Sequence, residues 1–374
     1  MSLIIILFAV LFLAFSNGAN DNFKGVATLF GSKTSDYKTA IFWATITTLS
    51  GSLAAVFLAE ALVTNFSGKG LVPDEFLQNP AFAVSVSFGA ATAVFIATKI
   101  GMPVSTTHGL VGAMIGSGLL IGGSSLNFTM LVNIFLLPLI IIPVLAALFG
   151  ILFYSFFHKL RIIAGITKKT CVCVGDELVP VLFNRNNEAA TEITAGKRKT
   201  ITIKSENDCI KIYNGRFAGV SVQKLLDYSH FISAGAVGFA RGLNDTPKIV
   251  GLLLLFNGFG INYGIFAASV AIAAGGLFQA KKVAKTMSFN ITKMNHGQGF
   301  TANLVTSLLV FTASIFGLPV STTHVSVGSI SGIGTITGQA DKREISKIIL
   351  AWLFTLPVAA IFSVISYLMF GVIF

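Results

Sequence analysis

Charged residues are scarce in this chain. They make up 11% of its 374 residues, whereas a typical soluble domain contains about 25%. Apolar residues account for 54%, and uncharged apolar runs such as 128–157 and 348–374 are long enough to cross about 30 Å of hydrocarbon as helices. The composition therefore excludes an ordinary soluble domain and predicts an all-α polytopic membrane protein with the lipid bilayer as its surroundings.

Acidic residues are also few, 15 against 26 Lys and Arg, which gives a net charge of +11. Such an excess is found in proteins that bind nucleic acid, but here the basic residues lie beside apolar runs. In that position they mark the cytoplasmic side of a membrane protein. We therefore attribute the charge to membrane topology and expect no nucleic-acid partner.

Cysteine is nearly absent. Cys171, Cys173 and Cys209 all lie in one hydrophilic segment that we expect in the cytoplasm, where thiols stay reduced, so no structural disulfide is predicted. The pair Cys171 and Cys173 lacks the neighbouring Cys or His residues that would complete a tetrahedral metal site. The sequence also shows no nucleophile–base pair, so we expect neither an enzyme nor a cofactor.

The hydrophilic segment 158–224 separates two membrane regions, 1–157 and 225–374. It is dense in charged residues and contains no apolar run long enough to span a bilayer. Within it, residues 201–204 and 210–213 alternate apolar and polar side chains, which is the period of a β-strand. We predict a cytoplasmic loop domain that forms a small β-rich insertion.

The two membrane regions share motifs in the same order. The first contains 18–24 (GANDNFK) and 101–108 (GMPVSTTH), and the second contains 242–248 (GLNDTPK) and 317–324 (GLPVSTTH). Glycines downstream of the second motif also correspond, at 112, 116 and 118 against 328, 332 and 334. The sequence therefore indicates an internal duplication.

Five apolar crossings precede the central segment, at 3–20, 40–62, 81–98, 103–121 and 128–157. Because five is odd, a tandem copy must insert upside down, which predicts two inverted repeats. Broken or re-entrant pieces would bring the total to 10 to 12 helices. The basic residues then fall on one side, which places this multi-pass protein in the cell membrane with both termini extracytoplasmic.

The two Pro-Val-Ser-Thr-Thr-His segments are typical helix starts. There the first backbone N–H groups lack partners and the helix dipole favours an anion, to which the hydroxyls add donors. Inversion would bring the two starts together near the midplane. We predict an oxyanion site, with inorganic phosphate as the leading ligand, at Ser105, Thr106, Thr107, Ser321, Thr322 and Thr323. The alternative is that these hydroxyls only cap the helices.

A carboxylate within an apolar stretch is costly and is functional by default. Asn20, Asp21, Asn244 and Asp245 are therefore predicted to hold the coupling ion, which is sodium at the two aspartates or a proton. The alternative is a pair of structural ion pairs one helical turn apart, Asp21 with Lys24 and Asp245 with Lys248.

Four further side chains are candidate accessory groups. Lys24 and Lys248 could face the anion, and His108 and His324 could orient hydroxyls or accept protons, although packed structural histidines are an equal alternative. Arg241 has no counterpart in the first repeat, where Asn17 stands in its place.

These motifs resemble the inorganic phosphate transporter (Pit) family, which carries a duplicated Gly-Ala-Asn-Asp motif and a proline-led Ser-Thr-Thr-His motif in inverted halves. The resemblance covers both membrane regions but not the central segment. It implies secondary active symport of phosphate with sodium or protons, the aspartates coupling cations and the hydroxyls binding phosphate. Two positions depart from the family pattern: Lys24 replaces an asparagine, and Leu243 replaces an alanine.

The leading hypothesis is thus a secondary phosphate symporter that works by alternating access around a midplane site. A sulfate permease on the same framework and a passive anion channel are the alternatives. The sequence leaves a homo-oligomer open.

Overall fold

The structure is a computed structural model that describes residues 2–184, 191–213, 217–255 and 260–374. It divides into two compact units, one formed by Met1–Tyr154 with His230–Phe374 and the other by Ser155–Ser229. The larger unit is helical and carries the duplicated motifs.

Helices occupy most of the chain up to residue 163. They are α1 (Ser2–Asp21), α2 (Ala27–Gly31), α3 (Tyr37–Leu58), α4 (Glu60–Asn65), α5 (Asp74–Leu77), α6 (Pro80–Ile100), α7 (Thr106–Gly122), α8 (Phe128–Met130) and α9 (Leu137–Ile163). Each of the five crossings predicted for this region lies on one or more of these helices.

The remaining helices follow the same pattern of long and short segments. They are α10 (Glu206–Ile212), α11 (Val222–Val250), α12 (Ile261–Gln279), α13 (Lys281–Lys285), α14 (His296–Ile315), α15 (Thr322–Ile336) and α16 (Lys342–Phe370). Within the described residues, seven helices are long and apolar enough to cross a membrane, and α7 is a shorter apolar helix. The all-α polytopic membrane class predicted from composition is confirmed.

Helix starts are fixed by capping side chains. Asp36 accepts a hydrogen bond from the backbone N–H of Thr39 at the start of α3, and Asn295 forms a reciprocal capping box with Gln298 at the start of α14. Hydrogen bonds from the side chain and then the backbone N–H of Thr39 stabilise the ionised carboxylate and lower the pKa of Asp36. These caps satisfy backbone donors that a helix end would otherwise leave unpaired.

The helices that carry the motifs are packed closely. α1 lies against α6 and α12, and α16 lies against α6 and α7. At Gly18 the backbones of α1 and α12 approach so closely that an added Cβ would stand 1.9 Å from the carbonyl oxygen of Ile272. Glycine at this position allows α1 to present the following Asn-Asp pair at the centre of the unit.

The smaller unit contains an antiparallel sheet in the order β2-β1-β3, formed by β1 (Thr170–Asn184), β2 (Thr191–Ser205) and β3 (Phe217–Ser221). Residues 201–204 lie in β2, as their alternation predicts. Residues 210–213 do not form a strand, because Ser205 caps a helix start and acidic residues in its first turn favour α10.

The cysteine prediction is wrong for two of the three residues. Cys173 and Cys209 form a disulfide, while Cys171 is free and buried. The sequence did not reveal the pairing because the two cysteines are 36 positions apart and meet only when α10 packs on β1. Disulfides persist in oxidising compartments, so the cysteines no longer support a cytoplasmic location for this unit.

Candidate functional site

The first Asn-Asp pair lies where the first membrane helix changes its winding. α1 ends at Asp21, and a tighter 3₁₀ segment, Asn22–Val26, connects it to α2. Asn20 and Asp21 are fully buried. A change of winding inside a span frees backbone groups and is tolerated where it serves a site.

The second Asn-Asp pair lies inside a continuous helix. Asn244 and Asp245 are buried in α11, which continues through Pro247 to Val250 before a 3₁₀ segment, Gly251–Leu255. The two repeats therefore place the same residues at the centre through different local backbones.

The proline-led motifs begin two helices in nearly identical conformations. Ser105 precedes α7 with φ −97° and ψ 117°, and Ser321 precedes α15 with φ −98° and ψ 115°. Each hydroxyl oxygen accepts a hydrogen bond from the backbone N–H three residues later, at 3.1 Å for His108 and 3.2 Å for His324. Both serines thus cap their helices, and each retains a hydroxyl hydrogen to donate.

Lys24 connects the two repeats. Its ammonium group donates to Asn20 Oδ1 at 2.8 Å, to the carbonyl oxygen of Val104 at 2.8 Å and to Thr323 Oγ1 at 2.6 Å. It also forms an ion pair with Asp21. The side chain is 2% exposed, so this charge is held entirely by protein oxygen atoms.

Lys248 makes the corresponding contacts from the second repeat. Its ammonium group donates to Thr107 Oγ1 at 3.0 Å and to the carbonyl oxygen of Val320, and it lies 3.7 Å from Asp245 Oδ1. Each lysine therefore contacts the motif valine of its own repeat and a motif threonine of the opposite repeat. The ion pairs weighed as an alternative to cation coupling are present in both repeats.

The two hexapeptides also bind each other directly. Thr107 Oγ1 donates to the carbonyl oxygen of Val320 at 3.2 Å, and Thr323 Oγ1 donates to that of Val104 at 2.8 Å. These reciprocal hydrogen bonds join the starts of α7 and α15. Thr106 and Thr322, the first residues of the two helices, are buried beside them.

Asn17 joins the carboxylates of both repeats. Its side-chain nitrogen lies 3.2 Å from Asp21 Oδ2, 3.3 Å from Asp245 Oδ2 and 3.1 Å from Thr106 Oγ1. The hydroxyl of Thr106 in turn donates to Asp21 Oδ2 at 3.1 Å. Asn17 was not among the predicted site residues. Its place in an apolar run, one helical turn before Asp21, was a signal that could have identified it.

Arg241 fills the position that corresponds to Asn17. Its guanidinium donates to Asn17 Oδ1 at 2.7 Å and to Asn22 Oδ1 at 3.0 Å, and it lies 3.5 Å from Asp245 Oδ2. The side chain is 1% exposed. Arg241 therefore belongs to the central cluster, and its lack of a counterpart makes the cluster asymmetric.

The two motif histidines contact each other. The ring centroids of His108 and His324 are 4.4 Å apart, and His324 also lies 3.8 Å from the ring of Trp352. His324 Nδ1 is 3.3 Å from the carbonyl oxygen of Leu139, whereas His108 Nδ1 and His324 Nε2 have no hydrogen-bond partner within the described residues. The structure thus places this pair in a buried, aromatic environment beside the motifs.

The formal charges of the central cluster do not cancel. Lys24, Lys248 and Arg241 contribute +3 and Asp21 and Asp245 contribute −2, which leaves +1 in a buried environment. An uncompensated buried charge is unfavourable until a counterion neutralises it. The arrangement is therefore suited to an anion. In the part of the chain that the structure describes, no cluster of three or more His, Cys, Asp or Glu residues could hold a metal ion.

The chain is similar to known proteins over most of its length. Residues 17–363 match the family model described as "Phosphate transporter family". A Haemophilus influenzae protein named "Putative phosphate permease" is 29% identical, with 97% of this chain and 95% of that protein covered. "Inorganic phosphate transporter 2-1, chloroplastic" of Arabidopsis thaliana is 26% identical over 95% of this chain and 70% of its own length.

A solved structure shares the fold. The protein titled "The sodium-dependent phosphate transporter" superposes with a TM-score of 0.75 and 22% identity, and the alignment covers 100% of both chains. The helical architecture is thus one already seen in a membrane transporter.

Proposed function

The chain belongs to the phosphate transporter family, whose members are transporters and not enzymes, and from that premise we propose that it imports inorganic phosphate by secondary active symport with sodium or protons. Transport proceeds by alternating access around the central cluster. The hydroxyls of the two hexapeptides bind phosphate, and Asn20, Asp21, Asn244 and Asp245 couple its movement to the cation.

The charge of the central cluster carries this proposal. Its net formal charge of +1 is buried, and a monovalent phosphate would neutralise it. The starts of α7 and α15 add two helix dipoles and unpaired backbone N–H groups that favour the same anion.

Phosphate is favoured over sulfate by the position of a carboxylate. Asp21 Oδ2 accepts the hydroxyl of Thr106, so an anion bound at Thr106 lies within reach of an acceptor. A protonated phosphate can donate to that oxygen, whereas sulfate has no proton to donate and is repelled by it. A sulfate permease on the same framework is the alternative, and substrate competition separates the two.

Alternating access is supported by the reciprocal contacts of the hexapeptides. The bonds from Thr107 to Val320 and from Thr323 to Val104 join the two repeats across the cluster. The predicted phosphate-binding hydroxyl residues are at most 4% exposed, which describes a closed site. Opening toward either side requires these bonds to break, as a rocking mechanism expects and a permanently open anion channel does not.

The placement in the membrane is also part of the proposal. Basic residues beside the spans put 158–224 on the cytoplasmic side and both termini outside the cell, with 1–157 and 225–374 as inverted repeats. The disulfide in the smaller unit is the observation that opposes this orientation.

Uptake of radiolabelled phosphate into proteoliposomes tests the function. We expect accumulation under an imposed proton or sodium gradient, and weak competition by sulfate. If neither gradient drives accumulation, symport is wrong. Sulfate uptake that exceeds phosphate uptake would identify a sulfate permease, and large single-channel currents would identify a channel.

A further inference from the structure

The ammonium group of Lys24 lies in a cage of four oxygen atoms. Asn20 supplies an amide oxygen at 2.8 Å, Val104 a backbone carbonyl at 2.8 Å and Thr323 a hydroxyl at 2.6 Å, and Asp21 supplies a carboxylate. These atoms come from three separate parts of the chain and converge on one buried position. Lys24 is buried in this arrangement, with only 2% of its surface exposed.

Hard cations prefer this set of oxygen ligands. Carboxylate, amide, carbonyl and hydroxyl oxygens at a membrane midplane are the groups that coordinate sodium in transporters built from inverted repeats. In this chain the cage already contains a positive charge that is attached to the backbone. A sodium ion bound by the same four atoms would need the volume that Lys24 Nζ occupies.

A lysine holds the corresponding place in the second repeat. Lys248 follows Asp245 by three residues, as Lys24 follows Asp21, and contacts a carbonyl of its own repeat and a hydroxyl of the opposite repeat. Its ammonium group also lies 5.7 Å from the centre of the Phe66 ring, whose face attracts a cation. The two lysines therefore occupy equivalent positions.

We propose that Lys24 and Lys248 act as tethered cations in the places where sodium would bind, so that this chain transports phosphate without sodium. The inference rests on the proposed phosphate transport and specifies its coupling. Each lysine neutralises one aspartate, and Arg241 supplies the remaining positive charge. A sodium ion would add a further buried positive charge beside three others, which is electrostatically unfavourable.

Charge balance then selects the coupled ion. The monoanion of phosphate neutralises the cluster, whereas the dianion leaves one negative charge unless a proton accompanies it. In both cases the transported unit is phosphate with one more proton than the dianion. A proton gradient is therefore the driving force that this arrangement uses.

Uptake of radiolabelled phosphate into proteoliposomes under a fixed proton gradient, with sodium or choline as the only monovalent cation, is the direct test. We expect the initial rates to agree within about twofold, because an ion with no differential binding shifts no equilibrium. A rate that falls by more than this in choline overturns the inference while leaving phosphate transport intact. Absence of uptake under every gradient instead refutes the proposed function.

Lys24→Asn supplies the sharper comparison. The asparagine removes the tethered charge and leaves the other oxygens of the cage in place, so we expect uptake that sodium stimulates by about tenfold. Lys99→Asn is the matched control, because Lys99 is exposed and donates to Gln279 at 3.0 Å; its uptake should remain indifferent to sodium. A folded Lys24→Asn variant that ignores sodium contradicts the role assigned to the lysine.

A binding measurement keeps the test independent of the variant's folding. The thermal unfolding temperature of the purified wild-type protein in detergent should not change when sodium replaces choline, since a ligand stabilises only a state that binds it. A rise of the unfolding temperature that saturates with sodium concentration would overturn the inference.

Discussion

Lys24 donates a hydrogen bond of 2.6 Å to the hydroxyl of Thr323, a residue 299 positions away in the other repeat. The same hydroxyl donates to the carbonyl oxygen of Val104 at 2.8 Å. Thr323 thus links an ion pair of the first repeat to the helix start of the second. In the proposed alternating-access mechanism, separating the two hexapeptides would break the bond between Thr323 and Val104.

Thr323→Val removes both hydrogen bonds while keeping the side-chain shape. Because Lys24 then loses one partner in a buried position, we expect the variant to be about 1–3 kcal/mol less stable and to transport more slowly. Thr301→Val is the control, since its hydroxyl donates within α14, to the carbonyl oxygen of Gly297 at 2.9 Å. Chemical denaturation in detergent and initial uptake rates measure the two effects. Equal losses of stability and uptake rate in both variants would contradict a specific role of Thr323 in joining the two repeats.

Arg241→Gln tests the origin of the net positive charge. The substitution leaves the cluster formally neutral and removes charged donors to Asn17 and Asn22. Because a neutral cluster no longer attracts the anion by its net charge, the half-saturation concentration for phosphate should rise by about tenfold or more, a change of about 1.4 kcal/mol in binding free energy. Initial rates against phosphate concentration provide the measurement.

Arg241→Lys and Arg343→Gln serve as its controls. The lysine keeps the charge but not the planar guanidinium, so an intermediate affinity is expected. Arg343 is exposed near the start of α16 and its replacement should leave the affinity unchanged. A normal half-saturation concentration in Arg241→Gln would show that the cluster's net charge does not attract the anion.

Much of this site was predictable, because polar and charged residues are easily recognised within long apolar segments. The duplicated motifs identified the lysines, aspartates and hydroxyls that the structure brings together. The sequence did not show that Thr107 and Thr323 bond to the opposite motif, since that requires the relative position of two helices. Asn17 was missed because an isolated amide carries no charge, and its value lies in bridging two carboxylates from different repeats.

For the fold as well, local features could be predicted from the sequence and long-range contacts could not. Helix positions follow from apolar runs and capping residues. The crossing predicted at 81–98 lies on α6, and the one predicted at 40–62 covers most of α3 and the start of α4. The strand predicted at 210–213 was wrong, because alternation over four residues cannot outweigh a serine cap and an acidic first turn. The disulfide was not predicted, because a contact between a strand and a helix leaves no local pattern in the sequence.

Asp21→Asn and Ser105→Ala should produce different defects. Asp21 is the ion-pair partner of Lys24 and the acceptor of Thr106, so the amide is expected to abolish gradient-driven accumulation. Ser105 caps α7 and offers a hydroxyl hydrogen, and its loss should mainly raise the half-saturation concentration, by about fivefold for a bond of about 1 kcal/mol. Counterflow and net uptake assays distinguish the two. Unchanged kinetics in both variants would defeat the site assignment.

Gly18→Ala tests the close approach of α1 and α12. The new Cβ would stand 1.9 Å from the carbonyl oxygen of Ile272, so the helices must separate and Asn20 and Asp21 must shift. Overpacking of this kind costs about 1–3 kcal/mol or more, and uptake should fall with stability. Gly297→Ala is the control, because its Cβ would meet only Asn295 Oδ1, at 3.5 Å. Similar unfolding temperatures for the two variants would contradict the packing described here.

The disulfide of the smaller unit predicts a specific pattern of stability. Cys173→Ser or Cys209→Ser should lower the free energy of unfolding of this unit by about 3–4 kcal/mol, as expected for a loop closed over 36 positions. The double variant should be no less stable than either single variant, because one substitution already removes the bond. Alkylation of the denatured full-length protein, followed by mass spectrometry, should label one thiol before reduction and three after it. Three labelled thiols without reduction would instead show that the cysteines are free, and would restore the argument for a cytoplasmic location of 158–224.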